Sequence, residues 1–165
     1  MRRALIVALF AIAGCGDATA PVKQISEYTQ ARKRWDERGF RDYVATVRAF
    51  CFCASVDPVT IIVVNDTLRS AYSTRTGQPV PLALVKTVDG VFDEVRRAIE
   101  QPAGSLNVTY DPVLGYPTEA AIDWITNAID DEVTWTVSDV GPVFSTADAT
   151  GSLRPLRRAA DPRRP

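Results

Sequence analysis

Histidine is missing altogether from the 165 residues, and methionine occurs once, at position 1. Without imidazole, the common serine triads lack their base, and the usual copper and haem sites lack their ligands. No glycine-rich phosphate loop is present, and no cofactor is expected. Long apolar runs are also absent. The longest, Ala4 to Ala13, falls well short of the roughly 20 residues that a bilayer-crossing helix needs. Cysteine is scarce too, confined to Cys15, Cys51 and Cys53.

What is present begins with a leader. Arg2 and Arg3 precede the apolar run, and Gly14-Cys15 follows it, the layout of an export signal. Ile12-Ala13-Gly14-Cys15 resembles the bacterial lipobox. That resemblance implies cleavage after Gly14, a diacylglyceryl thioether on Cys15, and further acylation of palmitate type on the new amino terminus. Two or three acyl chains anchor a protein far more firmly than one. Residues 1–14 therefore read as a lipoprotein signal peptide and 15–25 as a polar tether. Residues 26–141 form one α+β domain, and 142–165 a disordered tail rich in Arg and Pro. The expected placement is extracytoplasmic, on the cell membrane or outer membrane.

Charge is unevenly divided. Residues 15–150 carry 12 basic and 19 acidic side chains, a net of −7, while the last fifteen residues carry five Arg against Asp161. An acidic body argues against nucleic acid as a partner. The arginine tail suits contact with anionic headgroups, with the acidic body itself, or with solvent alone.

Periodicity outlines the domain. A first helix is expected over about Glu27 to Arg38, capped by Ser26, with Tyr28, Ala31 and Trp35 on one stripe. Asp42 to Cys53 alternates with period two. Tyr43, Ala45 and Val47 lie on the inward face, and Phe50 and Phe52 on the other, where a loop or helix is expected to cover them. Val59 to Val64 is a β-branched strand, and Asn65-Asp66 a two-residue turn into Leu68 to Ser73. Thr87 is expected to cap a helix over Val88 to Gln101. Three more strands follow over 105–110, 118–124 and 133–140. The order is α-β-β-β-α-β-β-β. Short connections favour an antiparallel sheet of about six strands, with both helices on one face.

Cys51-Phe52-Cys53, Val88-Asp89-Gly90-Val91-Phe92, the stretch Tyr110 to Thr118, and Asp130-Asp131-Glu132 together resemble the domain of unknown function 6174. That family occurs in bacterial lipoproteins and secreted proteins. The resemblance runs from about Trp35 to Val140; it implies an exported domain and supplies no activity.

Three groups of residues are candidate sites. Cys51 and Cys53 share a strand face with Cα atoms about 6.6 Å apart, so a disulfide between them requires a local bend; a redox pair and a metal pair are the alternatives. Tyr110, Asp111 and Tyr116 mark either a tight hairpin packed over the sheet edge or a binding loop with Tyr116 exposed. Asp123, Asp130, Asp131 and Glu132 form an acidic group, read as a solvated loop, with calcium or a hydrolase carboxylate pair as alternatives. The resulting reading is a lipid-anchored binding or structural module, more in keeping with a non-enzyme. Its partners are the membrane and an envelope protein or wall component. An envelope hydrolase using acidic residues is the alternative.

Mass spectrometry of the processed protein is expected to find Cys15 as a lipidated first residue. A chain that starts at Met1, or carries an unmodified Cys15 thiol, rules that placement out.

Overall fold

The computed structural model describes residues 19–52 and 57–143. The leader, Cys15, Cys53 and the arginine tail lie outside the described residues. The elements are helix α1 (Thr19–Arg38), strands β1 (Tyr43–Cys51), β2 (Val59–Val64) and β3 (Thr67–Ser73), helix α2 (Val88–Glu100), and strands β4 (Ser105–Tyr110), β5 (Pro117–Asp123) and β6 (Val133–Pro142). A short 3-10 turn at Leu82–Leu84 precedes α2. The order α-β-β-β-α-β-β-β is the one expected from sequence.

All six strands form one antiparallel sheet in the order β3-β2-β1-β6-β5-β4. Asn65 and Asp66 both take positive φ, 51° and 57°; this conformation matches the natural twist of the β2–β3 hairpin. The centre of the sheet is the β1–β6 pair, which joins Cys51 to Val133 and Tyr43 to Pro142. Strands near the two ends of the domain therefore meet in the middle of the sheet.

The inward face carries Tyr43, Ala45 and Val47 from β1, Val59, Ile61 and Val63 from β2, and Ala120 and Val137 from β5 and β6, all buried. Helix α2 lays Val88, Val91, Phe92 and Val95 on this face. These are the positions its 3.6-residue period selects. The Thr87 side chain accepts a hydrogen bond from the Gly90 amide at 3.0 Å, so the expected cap is in place. The phenol oxygen of Tyr43 accepts from the Val88 amide at 3.1 Å, which satisfies another donor of the first turn. The start of α2 is thus fixed by its own sequence and by β1.

Helix α1 starts eight residues before the expected Glu27. Pro21 falls in the first turn, where a missing amide hydrogen costs nothing, and Lys23–Glu27 and Lys33–Glu37 pair at four-residue spacing. Ser26 is therefore interior rather than a cap, and its hydroxyl accepts from Gln30 at 3.1 Å. Residues 19–25, expected as part of a tether, are the first turns of this helix. Gln24 already reaches the sheet, donating to the Leu106 carbonyl at 2.9 Å.

Aromatic rings join the layers. Trp35 meets Tyr43 edge-on at 5.5 Å and Tyr116 at 6.2 Å, and lies tilted against Phe40 at 5.5 Å. Tyr28 meets Phe92 edge-on at 5.9 Å, and Phe92 stacks on Tyr110 at 6.3 Å. Each such pair contributes about 0.5–1.5 kcal/mol beyond its buried area.

Burial raises the phenol pKa of Tyr28, Tyr43, Tyr110 and Tyr116 above the usual value. The sign follows from linkage. All four are protonated in both states below about pH 10, and above it the unfolded chain loses protons that the folded chain holds. Stability is expected to be insensitive to these groups up to about pH 10 and to fall above it. Chemical denaturation across that range, with phenolate absorbance recorded, checks this. Phenolate formation by all the tyrosines without loss of stability contradicts it.

Candidate functional site

The stretch Tyr110 to Thr118 is built from its own backbone inward. The Asp111 carboxylate accepts from the amides of Val113 and Leu114 at 2.9 and 2.6 Å, an aspartate turn that needs no partner outside the loop. The Gly115 amide donates to the Asp111 carbonyl at 3.0 Å, and the Asp111 amide to the Tyr116 carbonyl at 2.8 Å. Gly115 has a φ of +88°, and a Cβ there would stand 2.3 Å from the Ala31 carbonyl oxygen and 2.8 Å from Cβ of Arg34. Only glycine fits, for both conformation and space. Arg38 closes the contact from the helix side, donating to the Val113 carbonyl at 3.1 Å.

The loop is therefore a clasp on α1. Tyr116 is buried at 8 % exposure against Trp35, in keeping with the packed-hairpin alternative and against the exposed aromatic of the binding-loop one. The sequence could not reveal this, because the cover comes from a helix more than 70 residues away. Of the loop's larger apolar residues, Val113 remains exposed.

A polar network that sequence reasoning missed sits between the helices. Arg32 donates to Asp89 at 2.7 Å and pairs with Asp36 at 2.7 Å, and the Trp35 indole donates to the same Asp89 oxygen at 3.3 Å. Asp89 lies in the first turn of α2, where a carboxylate also suits the helix dipole. Arg32 additionally lies over the Phe92 ring at 5.0 Å. Further along α2, the buried Glu94 is held by Lys86 at 2.7 Å and by Arg97. Arg97 also lies over the Trp124 ring at 4.5 Å. Burial of Glu94 breaks the apolar stripe of α2, and its two cationic partners account for it.

The other candidates, Cys51 and the acidic group, lie toward one end of the sheet. Cys51 ends β1, and its proposed partner Cys53 is outside the described residues. Phe50 and Phe52 are exposed, not covered, although the Arg48 guanidinium stacks on Phe50 at 3.7 Å. Asp123 ends β5, while Asp130, Asp131 and Glu132 lie in the β5–β6 loop. Both Asp131 oxygens and one Asp123 oxygen are shielded without a hydrogen-bond partner among the described residues. No group of three or more metal-ligating side chains comes together among the described residues. The most enclosed of the larger clefts, about 330 Å³, lies between α1, α2 and β4, and is lined by Lys23, Gln24, Glu27, Ile99, Leu106 and Tyr110. The acidic group does not line it.

The sheet itself presents a further unassigned surface. Both helices cover one face, so Val44, Thr46, Thr60, Ile62, Thr134 and Thr136 on the other have no helical layer over them. Val44 and Ile62 are direct cross-strand partners, as are Thr46 and Thr60. This is the mixed hydroxyl and β-branched surface of an antiparallel sheet with one wet side.

Among the described residues no helix is long and apolar enough to cross a membrane. A family model described as a family of unknown function, DUF6174, matches residues 27–142. Neither a curated protein nor a solved structure matches the chain.

Replacing Gly115 with Ala is expected to lower the unfolding free energy by about 3 kcal/mol, since the new methyl must displace the helix backbone. Asp111→Ala is expected to cost about 1–2 kcal/mol through loss of two amide acceptor bonds. A Gly115→Ala protein within about 0.5 kcal/mol of the parent in urea denaturation contradicts the clasp.

Proposed function

We infer this protein's role from one premise: the chain belongs to DUF6174, a family of unknown function. Our proposal is a lipoprotein anchored through Cys15 that displays a non-catalytic binding surface in the cell envelope. The lipobox-like Ile12-Ala13-Gly14-Cys15 supports the anchor. A Cys51–Cys53 bridge belongs to the same proposal, because export brings both thiols into an oxidising compartment.

The observation that carries the binding role is the one-sided covering of the sheet. With Tyr116 and Gly115 committed to holding α1, the Tyr110–Thr118 loop offers a partner little beyond Pro112 and Val113. The uncovered face is built from paired strands. Its Val44–Ile62 pair supplies apolar contact, and the surrounding threonine hydroxyls supply donors and acceptors. Such a mixture suits another envelope protein or a wall component. A hydrolase would need two carboxylates facing each other across a cleft, and Asp123, Asp130, Asp131 and Glu132 are placed at a strand end and in a loop.

Photo-crosslinking in intact cells tests the surface. A photoreactive side chain at Ile62 or Thr136 is expected to trap a discrete product, and one at Lys33, on the exposed side of α1, is not. Equal yields from all three positions, or no product from the sheet positions, would remove the uncovered face as the binding surface.

A further inference from the structure

The register of the strands brings one end of the domain together. Cys51 pairs with Val133, Ile122 with both Val133 and Leu106, and Ser105 with Asp123. At this end β1 stops and Phe52 follows it, β4 begins, and the β5–β6 loop turns. Helix α1 begins here as well, since Gln24 donates to Leu106, whereas Arg38, in its last turn, bonds Val113 at the opposite end.

Exposed apolar side chains collect at this same end. Ile129 is 86 % exposed, Phe52 84 %, Val22 66 %, Ile125 64 % and Ile25 50 %. Val22 and Ile25, three residues apart, share one flank of α1. Ile125 and Ile129 flank a turn closed by the Ala128 amide donating to the Ile125 carbonyl at 2.8 Å. Single exposed apolar residues need no explanation, but five gathered at one end mark a contact surface.

We propose that this end docks on the bilayer surface, with Ile125, Ile129, Phe52, Val22 and Ile25 entering the interfacial layer. The proposal rests on the anchoring reading. The occupant follows from chain length: Cys15 precedes Thr19, the first residue of α1, by four positions, and so short a link spans at most about 14 Å. The lipid on Cys15 and the apolar end of the domain therefore face the same surface. The contact is apolar in kind. Asp130, Asp131 and Glu132 stand beside Ile129, so a zwitterionic bilayer suits it better than an anionic one. A domain seated in this way holds the sheet upright, with its uncovered face turned along the membrane plane.

The test uses the full chain as processed in cells, reconstituted into phosphatidylcholine vesicles with brominated acyl chains. An environment-sensitive label is placed at Ile125→Cys, Ile129→Cys or Val113→Cys, with the unsubstituted chain as the blank. Quenching at 125 and 129 is expected to be at least about threefold that at 113, because only side chains within the interfacial layer approach the brominated tails. Replacing part of the lipid with phosphatidylglycerol is expected to weaken quenching at 129. Equal quenching at all three positions, with Cys15 shown by mass to be lipidated, overturns the docking and leaves the anchor standing. Stronger quenching on the anionic vesicles overturns the apolar character of the contact. An unmodified Cys15 overturns the anchoring reading and this inference with it.

Discussion

The fold depends on how closely the backbone of α1 approaches the loop between β4 and β5. Helix α1 contributes no strand pairing, and its first turns touch the sheet through Gln24. Its attachment rests on the Trp35 ring, held between Phe40, Tyr43 and Tyr116, and on Gly115 lying against the Ala31 carbonyl. Close approach shuts water out around Trp35, and its indole then finds Asp89 as an acceptor. Asp89 in turn ties Arg32 to the first turn of α2. One missing side chain thus permits a sequence of contacts that orients both helices on the sheet.

The same arrangement explains why so specific a sequence motif carries little sign of a ligand. Tyr110, Asp111, Gly115 and Tyr116 form a structural joint, in which each residue type has a mechanical reason. Asp111 turns the chain, Gly115 admits the helix, and Tyr116 fills the space beneath it. Surfaces free of such duties are the uncovered sheet face and the apolar end of the domain. Both are assembled from residues that look ordinary in isolation.

Much of the architecture was legible because it is local. The alternation of β1, the β-branched run of β2, the Asn65-Asp66 turn and the Thr87 cap depend on neighbours in sequence, and each element forms where its pattern places it. The structure departs from local pattern where distant parts decide. Ser26 looked like a cap, but α1 is extended through earlier turns that reach Leu106. Tyr116 could be read as packed or exposed, and its cover, α1, decides the choice. Glu94 and Asp89 have no partners legible from the helical period alone, and the approach of Lys86, Arg97, Arg32 and Trp35 supplies them. Phe50 and Phe52 were expected to be covered, on the rule that large rings seek the interior, and they remain at the surface.

The central position of the β1–β6 pair bears on how the chain folds during its biogenesis. Strand β1 lies in the first third of the chain and β6 near residue 140, yet each is the other's inner neighbour. Until Val133 to Pro142 has emerged, the first hairpins present an open edge along β1, and the inward face of the sheet stays incomplete. Contacts so distant in sequence form slowly. A polypeptide built in this way closes its sheet only when residues from both ends of the domain are available to pair.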